Sequence, residues 1–327
     1  MRIGSVALPG CAFLAPMSGV TDIAMRRVAQ RFGASLVFTE MVAAEAYAKG
    51  DAENRLKAEG RGVDPHVVQI AGCDAQSMAR AARIAADSGA AILDINMGCP
   101  AKKVINGYSG SHLMRDLPLA LDLIRATVRA VDIPVTLKMR LGWDEASINA
   151  AELGRLAEAE GIAMLTVHGR TRSQFYNGKA DWRAIRAVKE AVSIPVVANG
   201  DCASLADAAR MMDVSGADAV MIGRAAIGQP WLVGMIAERL ATGVVGAEPS
   251  PAEKSEAAQE HYDGVLRLFG REQGMRHARK HLAAYAERSG SPAAGALRAR
   301  LVTADDPETV RSILSELFDF PLRAEAA

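Results

Sequence analysis

The sequence predicts an α/β protein, a (β/α)8 TIM barrel followed by a small C-terminal helical domain. Three observations carry this expectation. Eight short apolar runs recur over the first ~240 residues, separated mostly by helical patterns, which suits a barrel of ordinary size. The runs are rich in Val, Ile and Leu and lack polar alternation. Strands read this way when helices cover one face and a barrel core the other. Beyond a Gly- and Pro-rich stretch at Thr242–Pro251 the chain shows helical periodicity and no convincing strand. A doubly wound open sheet is the competing fold, but no Gly-rich dinucleotide loop follows the first run.

In chain order the runs are Ala12–Ala15, Ser35–Thr39, His66–Ile70, Ala91–Ile95, Val135–Met139, Met164–Val167, Val196–Ala198 and Ala219–Ile222. The odd-numbered runs follow Pro9, Pro65, Pro134 and Pro195, and the even-numbered ones follow Gly33, Gly89, Gly161 and Gly216. A duplicated pair of βα units would leave this alternation, and so would loops that simply favour the two residues. Asp74 is placed to cap a helix through Met78–Ile84 that ends at Gly89. Asp116 is placed to cap a second helix, with Leu117, Leu121, Ile124, Val128 and Val131 on one face. After the barrel, Ser250-Pro251-Ala252-Glu253 reads as a capping box with proline at the first helical position. Helical segments are expected at 252–270, 274–289 and 307–318, the last capped by Asp306 before Pro307. The expected domains are 1–242 and 243–327.

Composition removes several classes. Half of the 327 residues are apolar and 23% are charged, which argues against disorder and coiled coil. Lys plus Arg equals Asp plus Glu, 38 against 38, so a wholesale basic coat for nucleic acid is not expected. Cys11, Cys73, Cys99 and Cys202 are far apart, without CxxC or metal-ligand spacing, so no metal site and no disulfide scaffold are indicated. Pro9 and Pro16 break the N-terminal apolar run, which makes it a poor signal peptide. No stretch approaches the ~20 apolar residues of a bilayer span. The expectation is a cytoplasmic protein with no membrane partner.

In this barrel class the active site lies at the C-terminal ends of the strands. Six runs end there in a polar residue: Glu40, Gln69, Asn96, Arg140, His168 and Asn199. Alternation puts Thr136, Lys138 and Arg140 on one face of the fifth strand, so Lys138 is expected to point into the mouth. A buried ammonium needs an anion, either a ligand or a partner such as Glu40. Asn199-Gly200-Asp201 and Gly223-Arg224-Ala225 follow strands seven and eight, where barrels often hold phosphate with backbone amides and a short helix, here expected within Ala225–Gln229. Cys73 and Cys202 fit a small buried apolar role. Cys99 differs, because it lies just past strand four, at the mouth. An ordinary thiol is protonated at neutral pH and can donate a proton; a nucleophilic role is the alternative. The connection Ala101–Leu113, with Lys102, Lys103, Gly107 and Gly110, has the makings of a lid that touches a polyanion. Between Gly264 and Arg300, eight cations face only Glu272 and Glu287, and Arg276, Arg279 and Lys280 share a helical face.

Taken in order, Ala15–Asp22 (APMSGVTD), Gln69–Gly72, Asp94–Pro100 (DINMGCP), Leu137-Lys138, Val167–Arg172, Asn199–Asp201 and Gly223–Ala225 resemble the tRNA-dihydrouridine synthases. The run Met97–Val104 is similar to the bacterial B-type subfamily, some members of which carry a nitrogen-regulation label. The resemblance implies reduction of the C5–C6 double bond of a D-loop uridine in tRNA, with FMN as cofactor and NADPH as reductant. It implies that Pro16, Met17, Ser18 and Gln69 line the flavin ring and that Lys138 and His168 touch the flavin. Asn199, Gly200, Asp201, Gly223 and Arg224 would hold its phosphate end. Cys99 would be the proton donor and Asn96 would lie beside the uracil. Ser18 stands where close relatives often have Ala. Lys102, Lys103, Arg170, Arg172, Arg276, Arg279 and Lys280 are the expected tRNA contacts. The B-type likeness points to the seventeenth nucleotide, U17, and a monomer without DNA binding is expected. Two alternatives share parts of this pattern. One is a small-molecule flavin oxidoreductase of dihydroorotate-dehydrogenase type, which has no need of the basic helices. The other is a non-catalytic RNA-binding or regulatory protein, which has no need of Cys99, Lys138 and His168 together.

Overall fold

Each apolar run becomes one stave of a closed cylinder. The structure is a computed structural model and describes residues 1–320. The strands are β1 (Ala12–Leu14), β2 (Leu36–Phe38), β3 (His66–Ala71), β4 (Ile92–Met97), β5 (Val135–Arg140), β6 (Leu165–His168), β7 (Val196–Asn199) and β8 (Ala219–Ile222). Neighbours pair in parallel from β1 to β8, and β8 pairs with β1, which closes the barrel. No helix is long and apolar enough to cross a membrane among the described residues.

The crossover helices are α1 (Ile23–Arg31), α2 (Ala75–Asp87), α3 (Leu117–Val128), α4 (Ala150–Ala159), α5 (Trp182–Ala191), α6 (Leu205–Ser215) and α7 (Trp231–Thr242). Two short helices, Ala44–Ala48 and Ala52–Lys57, serve between β2 and β3. Asp74 and Asp116 cap α2 and α3 through Ser77 N and Leu119 N. The buried face of α3 differs from the expected one. It is Ala120, Leu123, Ile124 and Thr127, while Leu117, Leu121 and Val128 are half-buried and Val131 lies beyond the helix. Gly33, Gly89, Gly161 and Gly216 all have positive φ (95°, 91°, 100° and 66°), a backbone that glycine adopts without strain.

Inward-facing side chains change character along the barrel axis. At the N-terminal end Phe13, Leu36, Phe38, Val67, Ile92, Met164, Val197 and Met221 form a dry plug. A hairpin of Arg2–Ile3 and Val6–Ala7, not foreseen in the sequence, lays Ile3 on this floor. Two or four residues further along β3, β4, β6 and β7 come Gln69, Asp94, Asn96, His168 and Asn199, and β5 adds Lys138. The plug forces any ligand to enter from the C-terminal rim.

The chain leaves α7 at Gly243 and forms α8 (Pro251–Phe269), α9 (Arg271–Arg288), α10 (Ala294–Thr303) and α11 (Pro307–Phe318). The capping box at Ser250 and Glu253 forms, and Asp306 caps α11. Helix α10 was not foreseen, because only Leu297 and Leu301 of it are buried. The core of these helices takes in Ala24 and Val28 of α1 and Trp231 of α7, and Arg31 reaches Glu260 at 2.8 Å. The expected second domain runs to 327; its residues 321–327 lie outside the described part.

Candidate active site

Strand register builds the site. Asn96 stands beside Lys138, Arg140 beside His168, and His168 beside Asn199. Their side chains converge on a cavity of about 730 Å³ at the C-terminal rim, within the range of a cofactor site. Every residue expected at the cofactor lines it: Pro16, Met17, Ser18, Gln69, Lys138, His168, Asn199, Gly200, Asp201, Gly223 and Arg224. Asn96 and Cys99 line it as well.

A hydrogen-bonded chain under the floor of the cavity fixes the Cys99 loop. Thr136 Oγ1 donates to Asp94 Oδ1 (2.5 Å), and Gln69 Nε2 donates to Asp94 Oδ2 (2.7 Å). Asn96 Nδ2 donates to Gln69 Oε1 (2.8 Å), and Asn96 Oδ1 accepts from the Cys99 amide (2.9 Å). Burial lifts the Asp94 carboxyl to about 6, against the opposing pull of Gln69 and Thr136. Cys99 is half-buried, and its carbonyl accepts from the amide and hydroxyl of Ser111 (3.1 and 2.9 Å).

The connection expected to be a lid is therefore anchored. Lys102–Ile105 form a helical turn, and Gly110–Arg115 a 3-10 turn packed on Cys99. Gly110 has φ of 61°, and a Cβ there would meet Cys99 O at 2.8 Å, so this glycine makes a close approach rather than a hinge. Lys102 and Lys103 are exposed on its outer side and do not line the cavity.

Lys138 points into the mouth, but Glu40 is not its partner. Glu40 accepts from Gly19 N instead, and among the described residues Lys138 Nζ finds only the neutral Asn199 Oδ1 at 3.1 Å. Burial, with Arg140 nearby, pulls the Lys138 ammonium down to about 8. His168 is held well below its ordinary range by burial first and then by Lys138, Arg140, Arg170 and Arg224, so it is neutral here. Its Nδ1 is buried without a partner among the described residues. An unpaired ammonium and an orphaned imidazole nitrogen facing one cavity are groups that an anionic, hydrogen-bonding ligand would satisfy.

The sign of the Lys138 shift gives a prediction for ligand-free protein. Between about 8 and the ordinary 10.5, the unfolded chain keeps a proton that the folded chain releases, so this group's contribution to stability improves as pH rises through that window. Lys138→Met should accordingly melt higher than the parent at pH 7, with the advantage fading above pH 8. Melting curves across pH check this, and a lower melting point at pH 7 would contradict it.

At the other side of the mouth, Asp201 adopts a left-handed φ of 56° and accepts from Arg170 (2.5 and 3.0 Å), Ala180 N (2.8 Å) and Arg224 (3.2 Å). Burial opposes its charge, but Arg170 and the Ala180 amide outweigh it and hold the carboxyl below the usual range. Its carboxylate thus aims Arg224 rather than facing a phosphate itself. Arg224–Ala226 form one 3-10 turn in place of the helix expected within Ala225–Gln229. The first amides of that turn lack partners within it. Gly200 has φ of 117°, and a Cβ there would strike Ala180 at 2.8 Å and His168 at 3.3 Å. Removing the carboxylate by Asp201→Ala leaves buried Arg170 unpaired and should cost about 3 kcal/mol in a urea melt; an unchanged midpoint would refute that pairing.

One expected RNA contact, Arg170, is corrected. Arg170 is buried, and its three nitrogens bond Asp201 and the carbonyls of Asn177 and Gly178. Arg172 is half-buried, lies 4.5 Å over the Trp143 ring, and stays outside the cavity. Cys202 is buried and its thiol is pushed up to about 12, whereas Cys73, expected to be buried, is exposed.

Sequence reasoning left other cavity residues unassigned. Arg140 donates to Gly98 O, Thr171 O and Phe175 O, tying the Cys99 loop to the loop after β6. That loop presents exposed Phe175 and Tyr176, stacked edge to face at 4.8 Å, and Arg224 lies 5.1 Å from the Tyr176 ring. Arg288 of α9 reaches the same cavity. The polar face of β5 already pointed to Arg140, but nothing local marked Arg288. Arg276, Arg279 and Lys280 are exposed on α9, and none has a carboxylate partner among the described residues. Lys280 Nζ lies beside Gly19, in the loop that carries Pro16–Ser18 to the cavity.

Comparison with known proteins agrees with this architecture. The family model described as Dihydrouridine synthase (Dus) matches residues 13–320. A probable tRNA-dihydrouridine synthase of Rhizobium leguminosarum bv. phaseoli is 55% identical, the match covering 94% of each chain. One from Rhodobacter capsulatus is 51% identical over 97% of this chain and 98% of its own. The tRNA-dihydrouridine synthase B of Xanthomonas campestris pv. campestris is 44% identical over 98% and 96%. Among solved structures, morphinone reductase in complex with tetrahydroNAD shares the fold at 16% identity and a TM-score of 0.50, over 78% of this chain and 92% of that one. The 6-hydroxypseudooxynicotine amine oxidase of Pseudomonas geniculata N1 does so at 15% and 0.56, over 79% and 52%. With a barrel mouth furnished in this way, a family model spanning nearly the whole chain and relatives above 50% identity, the chain belongs to the dihydrouridine synthase family of oxidoreductases.

Proposed function

We propose that the protein is a tRNA-dihydrouridine synthase that binds FMN, is reduced by NADPH, and saturates the C5–C6 bond of a D-loop uridine, U17 by its B-type likeness. The observation that carries this reading is the pair of Lys138 and Cys99 on one rim, lining one cavity closed from below. The residues fit FMN. Lys138 and the orphaned His168 Nδ1 supply the charge and the hydrogen bond that an isoalloxazine with polar edges lacks in an apolar barrel. Gly200, Gly223 and Arg224 supply close backbone approach and a cation for the phosphate.

Reduced FMN, when bound, supplies a hydride to uracil C6. The protein's own residues do the rest. Negative charge develops towards C5 and O4 of the uracil, and the Cys99 thiol gives its proton to C5; the thiolate regains one from solvent. Asn96, held by Gln69 below and by the Cys99 amide, orients the uracil edge and the thiol together. The base must leave the folded D-loop to reach this depth. The cationic face of Arg276, Arg279 and Lys280 holds tRNA phosphates while it does so, and Lys102 and Lys103, exposed in the connection after Cys99, add to it. The protein acts as a monomer in the cytoplasm, with a barrel of residues 1–242 carrying the flavin and residues 243–327 carrying tRNA; DNA is not a substrate. Heat release of the cofactor from yellow purified protein, followed by chromatography against authentic FMN and FAD, tests the cofactor assignment. FMN is expected, and a colourless protein that does not take up FMN would overturn it.

A further inference from the structure

Residues from the two ends of the chain meet where the barrel touches the C-terminal helices. Asp22, the N-cap of α1, faces His261 of α8 and His281 of α9, with their ligand atoms all within 4.8 Å of one another. The three are 5%, 1% and 3% exposed. Both ring nitrogens of His281 and Nε2 of His261 are buried without a hydrogen-bond partner among the described residues. Yet the imidazoles are not merely stacked, since their rings meet at 61° with centroids 4.5 Å apart. Asp22 spends one oxygen on Met25 N, as an N-cap does. The remaining His261 nitrogen, Nδ1, lies 3.1 Å from the Tyr285 hydroxyl. A ligating histidine is commonly held in this way, by an outer partner on its second nitrogen that fixes ring and tautomer.

We propose that Asp22, His261 and His281 bind a zinc ion that pins α8 and α9 to the start of α1. Two imidazoles and a carboxylate form a nitrogen and oxygen set that suits zinc. Tetrahedral zinc places its ligand atoms roughly 3.3–3.5 Å apart, so the cluster contracts slightly around the ion. Three orphaned nitrogens in a dry contact destabilise the fold, and the ion gives the two that face it a partner. Asp22 follows Pro16–Ser18 by a few residues, and Lys280 precedes His281. The ion therefore fixes the cationic face of α9 relative to the cavity. Spacing could not disclose the site, because its ligands come from opposite ends of the sequence. The inference does not rest on the proposed reaction.

The test uses full-length protein without a histidine tag. Mass spectrometry for metals should find roughly one zinc per chain. After removal by chelator, added zinc should bind saturably and raise the melting temperature. Asp22→Asn keeps a competent N-cap but loses the anionic ligand, and it should bind zinc at least ~10-fold more weakly. His281→Gln should abolish stoichiometric binding, and Cys73→Ser, at an exposed thiol, should leave it unchanged. Absence of both zinc and a zinc-dependent melting shift in the parent would overturn the proposal. So would undiminished binding in Asp22→Asn, which remains informative should His281→Gln fail to fold.

Discussion

Replacing Cys99 with alanine should lower turnover on tRNA by about 10²- to 10⁴-fold, the usual contribution of a positioned general acid, while flavin binding stays intact. The separation follows from the geometry. Cys99 lines the cavity, but its backbone is held independently of its thiol, by Asn96 Oδ1 at the amide and by Ser111 at the carbonyl. Truncation at Cβ therefore leaves the loop in place. Single-turnover measurements sharpen the expectation. Reduction by NADPH should run at the parental rate, and only the subsequent reoxidation by tRNA should slow. Parental turnover in Cys99→Ala would remove the acid from this residue.

Charge reversal on α9 should have the second largest effect. Arg276→Glu combined with Arg279→Glu should weaken tRNA binding by about 100-fold at moderate salt, because each lost phosphate contact also changes counterion release. Neither side chain is ion-paired among the described residues, and neither touches the cavity. The flavin spectrum and the melting temperature should stay close to the parental values. The slope of affinity against salt concentration should become shallower, and an unchanged slope and affinity would refute the role of this face.

What the sequence disclosed follows from how local each signal is. All eight strands were legible because a barrel strand is covered on both faces, so most read as short apolar runs rich in Val, Ile and Leu, while β5 also shows the alternation that puts Thr136, Lys138 and Arg140 on one face. Even the polar rim was legible, because strand ends such as Asn96, His168 and Asn199 interrupt those runs. Caps at Asp74, Asp116, Ser250 and Asp306 were legible because a cap acts within three residues. Failures arose where tertiary packing decides. The buried face of α3 is Ala120, Leu123, Ile124 and Thr127, rotated from the leucine-rich face that periodicity alone suggests, because the neighbouring elements decide which side is covered. Arg170 reads as a surface cation, but only the fold shows that Asp201 comes round to bury it. Arg288 enters the cavity from a distant helix, and the Asp22, His261 and His281 cluster joins both ends of the chain. Helix α10 buries only Leu297 and Leu301, so no periodic apolar face announces it.

The central claim is that one rim of this barrel brings a flavin and a proton-donating thiol to a tRNA uridine. It is tested most directly by incubating purified protein with NADPH and an unmodified tRNA transcript and mapping dihydrouridine along the RNA. Conversion of a single D-loop uridine, lost in Cys99→Ala, is the result expected. NADPH oxidation with every uridine intact, or conversion that persists without Cys99, would contradict it.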